Sequence, residues 1–254
     1  MRPLQTDLSI YNKFNFERPP LGIKYLLQKP EGIEPVGKCL PFCEMFKEAH
    51  QTGRAFYFTK EDEDCFGKGA LGMASDPTPF GESGLIGYKM GIFQEPRANS
   101  KLNRNNYQLP EGTVNYVVIS PLDKLTLEPD LLLITADPNQ AEILMRAMTY
   151  SSGEIYESKT TPVLACSWIC IYPFMTGKVN YVVSHMVYCL RVRQVFAQSQ
   201  VLISIPYNWI PTVTQNLNEL TWQPAEFNMD RGRFIQRRKQ VLGEVAEELQ
   251  KPRY

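Results

Sequence analysis

The six cysteines constrain the fold of this chain more than any other residue type, because they fall in two groups far apart in the sequence. The groups are Cys39, Cys43 and Cys65 in the first quarter, and Cys166, Cys170 and Cys189 in the second half. The second group begins inside 163–175, the longest strongly apolar run of the chain. A run of this kind is expected in the core. If the two groups meet anywhere, they therefore meet at this segment.

Composition argues against several classes of protein. The 254 residues carry 27 Lys and Arg against 27 Asp and Glu, so no net positive field attracts nucleic acid. The run 163–175 is shorter than the ~20 apolar residues that cross a bilayer, and residues 1–7 lack the apolar region of a signal peptide. We therefore expect a cytoplasmic protein that binds neither nucleic acid nor membrane. In a reducing compartment its cysteines are expected to be free thiols, metal ligands or catalytic groups rather than disulfides.

Strand and helix patterns alternate along the chain. Apolar, β-branched and aromatic residues predict strands at 21–27, 55–59, 114–119, 131–135 and 201–205. A helix is predicted after Asp137, because Asp137 suits the N-cap position, Pro138 the first turn, and Gln140 completes a capping box. The pattern predicts an α/β or α+β fold with a mixed sheet flanked by helices. We expect one compact domain over 1–230 and a charged C-terminal helix over 231–254.

One glycine-rich segment has the letters of a phosphate-binding motif without its context. Residues 67–72, Gly-Lys-Gly-Ala-Leu-Gly, fit the dinucleotide fingerprint GxGxxG. That fingerprint follows directly on a buried strand, whereas here the acidic run 61–64 precedes it and would repel a pyrophosphate. Nucleotide binding is therefore disfavoured. The chain has only two histidines, His50 and His185, which excludes a site built mainly from imidazole.

The spacing of the cysteines leaves two interpretations open. Cys39 and Cys43 are four residues apart, as are Cys166 and Cys170, and on a helix each pair would lie on one face. Free cysteine is also among the most buried residue types and packs as a small hydrophobe. No CxxC pair occurs, so the common zinc-ribbon and ferredoxin patterns are absent. Spacing alone does not decide between a metal site and a packed core.

Seven short segments occur in a characteristic order over most of residues 20–220. They are Pro-Leu-Gly-Ile-Lys-Tyr at 20–25, Leu-Pro-Phe-Cys at 40–43, Asp-Cys-Phe-Gly-Lys-Gly-Ala-Leu-Gly at 64–72, Leu-Glu-Pro-Asp-Leu-Leu-Leu-Ile at 127–134, Ala-Cys at 165–166, Tyr-Pro-Phe-Met-Thr-Gly-Lys-Val-Asn at 172–180 and Ser-Ile-Pro at 204–206. As an ordered set they resemble the domain-of-unknown-function 169 family, which is found in archaea and anaerobic bacteria. The family has no agreed activity, so the resemblance implies a fold and a pattern of site residues rather than a reaction.

The resemblance implies a site made of four cysteines. The family has cysteines at the places of Cys43, Cys65, Cys166 and Cys189. Cys39 and Cys170 fall outside this pattern, and we interpret them as core residues or neighbours of the site. The family's Cys-x-Gly-Asp-Arg element is replaced by Cys-Leu-Arg-Val-Arg at 189–193. Cys189 is therefore the predicted ligand whose surroundings depart most from the family pattern.

Four cysteines from separate segments, in a chain with almost no histidine, suit soft thiolate coordination of a metal. The cofactor expected first is an iron–sulfur cluster of the 4Fe-4S type, and zinc is the second choice. An iron–sulfur cluster held by four thiolates carries net negative charge. Gly67 and Gly69, close to Cys65, allow a loop to turn backbone N–H groups toward such a charge. We therefore predict that Gly67 and Gly69 bind the cofactor.

Two other functions stay open at this level, and with them whether the chain is an enzyme. One is a metal-free module that binds a small molecule or a partner in an aromatic cleft, with buried structural cysteines. The other is a cysteine-thiolate enzyme with Cys65 or Cys166 as nucleophile, activated by a helix end or by Lys68. The partners considered are a small molecule, a redox protein and a second copy in a homo-oligomer. The charged terminal helix is expected to be solvated, with docking to a partner as the alternative.

Overall fold

The computed structural model describes residues 3–75 and 78–251. Contacts divide the chain into two compact units, Met1–Asn218 and Glu219–Tyr254. The first unit contains the sheet and the hydrophobic core, and the second consists mainly of one long helix. The sequence interpretation placed the boundary later, after residue 230.

Six strands form one open sheet, and the compact α+β class is confirmed. The strands are β1 (Leu21–Leu26), β2 (Phe56–Phe58), β3 (Tyr116–Pro121), β4 (Leu131–Ala136), β5 (Asn180–Val183) and β6 (Val201–Pro206). Their order across the sheet is β2-β3-β1-β4-β6-β5, and each pairing between them is antiparallel. The sheet is therefore antiparallel rather than mixed, because the central strand β1 runs opposite to both of its neighbours, β3 and β4.

Helices pack around the sheet of the first unit and make up most of the second. The described α-helices are α1 (Phe42–Thr52), α2 (Gly67–Ala70), α3 (Thr78–Ser83), α4 (Leu85–Lys89), α5 (Pro96–Arg104), α6 (Pro138–Thr149), α7 (Tyr172–Thr176), α8 (Tyr188–Val192), α9 (Ile210–Glu219) and α10 (Arg231–Gln250). A π-helical turn over Ser167–Ile171 precedes α7. None of the helices in the described ranges is both long and apolar enough to cross a bilayer.

The strongest local signals of the sequence form the predicted elements. All six residues of β4 are buried, as expected for a strand that is apolar throughout. At the start of α6, Asp137 Oδ1 accepts hydrogen bonds from the N–H groups of Asn139 (2.8 Å) and Gln140 (2.9 Å). Gln140 Oε1 accepts in return from the Asp137 N–H at 2.9 Å. The predicted capping box is therefore confirmed.

We expect Asp137→Ala to lower the free energy of unfolding by about 1 kcal/mol, because N–H groups at the start of α6 lose their acceptor. The matched control is Asp123→Ala, since the Asp123 carboxylate makes an exposed ion pair with Lys124 and such pairs contribute little. Urea denaturation followed by circular dichroism measures both variants. Equal losses of stability in the two variants would contradict the capping role.

Candidate functional site

A cavity of about 350 Å³ lies in the first unit, where α1, α2, α5 and α8 approach the segment before the π-helical turn. Four cysteines line it: Cys43 in α1, Cys65 before α2, Cys166 before the π-helical turn and Cys189 in α8. The volume lies in the range of sites that hold small organic ligands, about 300–1,000 Å³. The structure therefore brings the four cysteines of the predicted site, from four separate segments, to one cavity.

The other two cysteines and both histidines lie elsewhere in the described part of the chain. Cys39 is exposed, and Cys170 is fully buried in the core. Burial lowers the pKa of His50 to about 4, so this imidazole is neutral near pH 7. His185 Nε2 lies 3.2 Å from the backbone carbonyl of Phe196. None of these four side chains is among the described residues that line the cavity.

Glu63 connects the two segments that carry Cys43 and Cys65. Its carboxylate is almost completely buried and accepts hydrogen bonds from the backbone N–H groups of Phe42 (2.9 Å), Cys65 (3.0 Å) and Lys68 (3.0 Å). Burial raises the pKa of the Glu63 carboxyl, and the three N–H donors act in the opposite direction. One carboxylate thus fixes the start of α1 relative to the Cys65 loop.

The two glycines predicted to bind a cofactor occupy different places. Gly67 lines the cavity, whereas Gly69 is buried inside α2 and is not among the described lining residues. A Cβ atom on Gly67 would lie 2.7 Å from Glu63 Oε1 and 3.0 Å from Phe42 Cβ. The absence of a side chain at Gly67 therefore allows the Glu63 carboxylate to approach. The N–H groups of Cys65 and Lys68 are turned toward that carboxylate.

The backbone close to Cys166, at the wall of the cavity, is strained. Leu164 has a φ of +64°, a left-handed conformation that is costly for a residue with a branched side chain. Cys166 is followed directly by the π-helical turn Ser167–Ile171. Both features concentrate at functional sites. No local sequence pattern predicted either of them.

The carboxamide of Asn180 anchors the segment that leads to Cys166. Its Nδ2 donates to the carbonyls of Lys159 (2.8 Å) and Trp168 (2.7 Å), and its Oδ1 accepts from the Lys159 N–H (2.9 Å). The indole N–H of Trp168 donates to the hydroxyl of Thr161 at 2.7 Å. Asn180 is almost fully buried in β5. These hydrogen bonds tie the loop before Cys166 to the edge of the sheet.

Arg193 is a site residue that sequence reasoning missed. It follows α8, and its Nη1 lies 3.7 Å from Cys43 Sγ and 3.9 Å from Cys65 Sγ. Its Nε lies 3.1 Å from a carboxylate oxygen of Glu44, which orients the guanidinium. The sequence does contain a signal for Arg193. The segment 189–193 keeps the first and last residues, Cys and Arg, of the family's Cys-x-Gly-Asp-Arg element.

Contacts among the thiols set their ionisation. The hydrogen bond that Cys43 donates lowers the pKa of Cys189 to about 6, and the charge of Arg193 acts in the same direction. The same hydrogen bond, together with burial, raises the pKa of Cys43. Burial, followed by the nearby Cys189 sulfur, raises the pKa of Cys166. At neutral pH the Cys43–Cys189 pair therefore shares one proton, and Cys166 is a neutral thiol.

The donor set at the cavity consists of four thiols with one guanidinium beside them. Within residues 3–75 and 78–251, no three His, Cys, Asp or Glu side chains are placed to hold one metal ion. Four thiols around one cavity, with a guanidinium in contact with two of them, fit the charge and ligand type of a thiolate-held cluster.

The rest of the cavity is lined by asparagines and apolar side chains. Each asparagine directs its amide nitrogen at a protein acceptor: Asn99 at the Gly84 carbonyl (3.1 Å), Asn103 at the Gly81 carbonyl and Asn106 at the Ser167 hydroxyl (2.8 Å). A carbonyl only accepts hydrogen bonds, so the oxygens of Asn99 and Asn103 face away from Gly84 and Gly81. The Asn106 Oδ1 is buried and has no partner among the described residues. Asn106 therefore brings one hydrogen-bond acceptor without a described partner to the lining of the cavity.

Comparison with known proteins adds a family and no activity. The model of the DUF169 family, described as "Uncharacterised ArCR", matches residues 9–216, a range that contains the four cysteines and Arg193. No curated protein matches the chain, and no solved structure matches it. Because the family model matches well over half of the 254 residues, this chain belongs to the DUF169 family.

Proposed function

We propose that this chain is an iron–sulfur protein in which Cys43, Cys65, Cys166 and Cys189 hold one 4Fe-4S cluster at the wall of a ligand-binding cavity. The observation that carries the proposal is the convergence of four cysteines from four separate segments on one cavity. Thiolate sulfur is the usual protein ligand of such clusters. When bound, the cluster supplies redox or Lewis-acid chemistry at this wall.

The charges around the cysteines support a cluster with net negative charge. The guanidinium of Arg193 keeps its proton in proteins, and it lies within 3.9 Å of two of the sulfurs. Glu44 holds this cation in place through its ion pair. Hydrogen bonds and cations at the sulfurs of a cluster raise its reduction potential. Arg193 is therefore assigned the role of stabilising the electron-rich state.

Zinc is the second choice for the group that these four cysteines would hold. A structural zinc ion draws four ligand atoms to about 2.0–2.3 Å from one centre. In the part of the chain that the structure describes, no three suitable side chains are placed for one ion. Cys43 and Cys65 both lie against Arg193, so a cation stands beside two of the four sulfurs.

The asparagine side of the cavity supports a role in ligand binding rather than electron transfer alone. Transfer of electrons does not require a chamber of about 350 Å³ beside the thiols. The Asn106 acceptor and apolar lining residues such as Ile86 and Met90 suit a small, mostly apolar molecule with an N–H or O–H donor. Asn106 would contact such a donor next to Ser167, the residue that follows Cys166.

A metal-free thiolate enzyme is the second candidate, and one observation favours it. The pKa of Cys189 is lowered to about 6, so this sulfur would be a nucleophile at neutral pH. The sequence alone suggests Cys65 or Cys166 as the nucleophile, activated by a helix end or by Lys68. The Lys68 ammonium instead donates to the Glu63 carbonyl at 2.6 Å, and burial raises the pKa of Cys166. In this second function Cys189 is therefore the nucleophile.

Protein purified without oxygen is expected to be brown and to contain about four iron and four sulfide ions per chain. Cys43→Ser and Cys166→Ser are expected to lose most of this iron, because each removes a thiolate ligand. Cys39→Ser is the matched control and should keep it, since Cys39 is exposed and lies outside the cavity. Iron, zinc and sulfide analysis with electron paramagnetic resonance gives the readout. A colourless protein without iron, or equal iron loss in all three variants, would rule out the cluster.

Arg193→Gln is expected to lower the reduction potential of the cluster by on the order of 100 mV, because a positive charge about 4 Å from the sulfurs is lost. Arg193→Lys keeps the charge and should shift the potential much less. Redox titration of both variants after iron loading measures the effect. A potential in Arg193→Gln equal to that of the unmodified protein would contradict the assigned role.

Alkylation kinetics test the second candidate on metal-free protein in a Cys39→Ser background, which removes the exposed thiol. The rate of iodoacetamide modification at Cys189 is expected to rise with a midpoint near pH 6, since the thiolate is the reactive form and the pKa of Cys189 is lowered to about 6. Mass spectrometry of digested samples locates the modification. A midpoint at the ordinary thiol value of about 8.5 would exclude an activated Cys189.

A further inference from the structure

The long helix α10 of the second unit presents an apolar stripe to solvent. Six apolar side chains of this helix are 37–67% exposed: Phe234, Ile235, Val241, Leu242, Val245 and Leu249. Ile235, Leu242 and Leu249 are spaced by seven residues, and Val245 follows Leu242 by three, which places them along one face. No residue of α10 is buried. A stripe of this kind is typical of a helix whose partner is a second helix.

The charges of α10 are segregated between its two halves. Residues 231–240 contain the basic Arg231, Arg233, Arg237, Arg238 and Lys239 and no acidic residue, whereas residues 241–250 contain Glu244, Glu247 and Glu248 and no basic residue. The helix macrodipole favours the reverse order, with acidic residues near the N-terminus and basic residues near the C-terminus. The charge order therefore destabilises an isolated helix. Exposure of the helix to solvent does not explain this order.

An isolated helix of this length has little else to stabilise it. Twenty residues extend about 30 Å, and helices of this size are marginal in water without tertiary packing. Asp230 caps the first turn by accepting from the Arg233 N–H at 3.0 Å. Ion pairs such as Arg237 with Glu244, at 3.7 Å, are exposed and contribute little. Packing of the apolar stripe against another helix would supply the stability that α10 lacks when it is isolated.

We propose that α10 pairs antiparallel with α10 of a second copy of this chain. In this arrangement the basic half of each helix lies against the acidic half of the other, and the two macrodipoles oppose each other. The apolar stripes then face one another across a two-fold axis, which closes the assembly as a dimer. Arg238, which interrupts the stripe, faces the acidic half of the partner helix. A polar residue in an apolar seam fixes the register of such a pair.

The charge pattern selects a second copy over other partners. A helix that is basic in its first half and acidic in its second is complementary to itself when the two copies run in opposite directions. A parallel pair would place basic residues against basic residues and acidic residues against acidic ones. An unrelated partner would need the mirrored charge order together with an apolar stripe of matching length, whereas a second copy of α10 has both.

Sedimentation equilibrium of the full chain over a range of protein concentrations tests the dimer. Leu242→Glu is expected to raise the dissociation constant at least tenfold, because it puts a charge into the seam. Gln236→Glu is the matched control, since Gln236 is exposed on the opposite face, and it should leave the dissociation constant nearly unchanged. A monomer at all concentrations, or a dimer that tolerates Leu242→Glu, would overturn the proposal. Circular dichroism verifies that both variants stay folded.

Charge reversal tests the role of charge in the pairing, and the salt dependence of the unmodified dimer tests the orientation of the helices. A variant with Arg233, Arg237 and Lys239 changed to Glu, and another with its three acidic residues changed to Lys, should each be monomeric. Mixing the two is expected to restore a dimer, because one helix is then acidic and the other basic. The unmodified dimer should weaken as sodium chloride rises, since salt screens the attraction between opposite halves. A dimer that tightens as salt rises would indicate parallel helices and overturn the antiparallel pairing.

Discussion

The buried carboxylate of Glu63 holds together the wall of the cavity that carries Cys43 and Cys65. Moving an ionised carboxylate out of water costs several kcal/mol, and three backbone N–H donors offset that cost. The dependence is mutual, because those N–H groups would be buried without an acceptor if Glu63 were lost. The same contact explains the glycine at position 67, since a Cβ atom there would collide with Glu63 Oε1. One buried charge thus sets the start of α1, the Cys65 loop and the residue at 67.

The opposite wall is held by buried polar contacts as well. A left-handed Leu164 is the kind of strain that costs about 1–3 kcal/mol and persists only where surrounding structure over-determines it. Here the surroundings are the three hydrogen bonds of Asn180 and the π-helical turn after Cys166. Both walls therefore depend on specific hydrogen bonds in addition to apolar packing. Such walls keep the four cysteines in place before any ligand arrives.

Local sequence signals predicted the elements of the fold better than they predicted the residues that support the site. The capping box at Asp137 and the apolar strand β4 depend on neighbours in sequence, so they could be read directly. Arg193 lies 150 residues from Cys43 in the chain, and its contact follows only from the complete fold. Glu63 belongs to the acidic run 61–64, which was interpreted as repelling phosphate, whereas its carboxylate is buried. The four-residue edge strand β5, which pairs with β6, was not predicted from the sequence.

The balance of charge in the cavity limits how many of its cysteines ionise in the metal-free protein. Four thiols lie near one permanent cation, Arg193, so in metal-free protein a second thiolate would be repelled by the first in a poorly solvated site. The raised pKa values of Cys43 and Cys166 are consistent with that limit. If these cysteines hold the proposed cluster, its binding would release the remaining thiol protons, since thiolates rather than thiols bind metal. In the metal-free protein, burial and mutual repulsion therefore favour the protonated forms of Cys43 and Cys166, whereas the hydrogen bond from Cys43 and the charge of Arg193 favour the thiolate of Cys189.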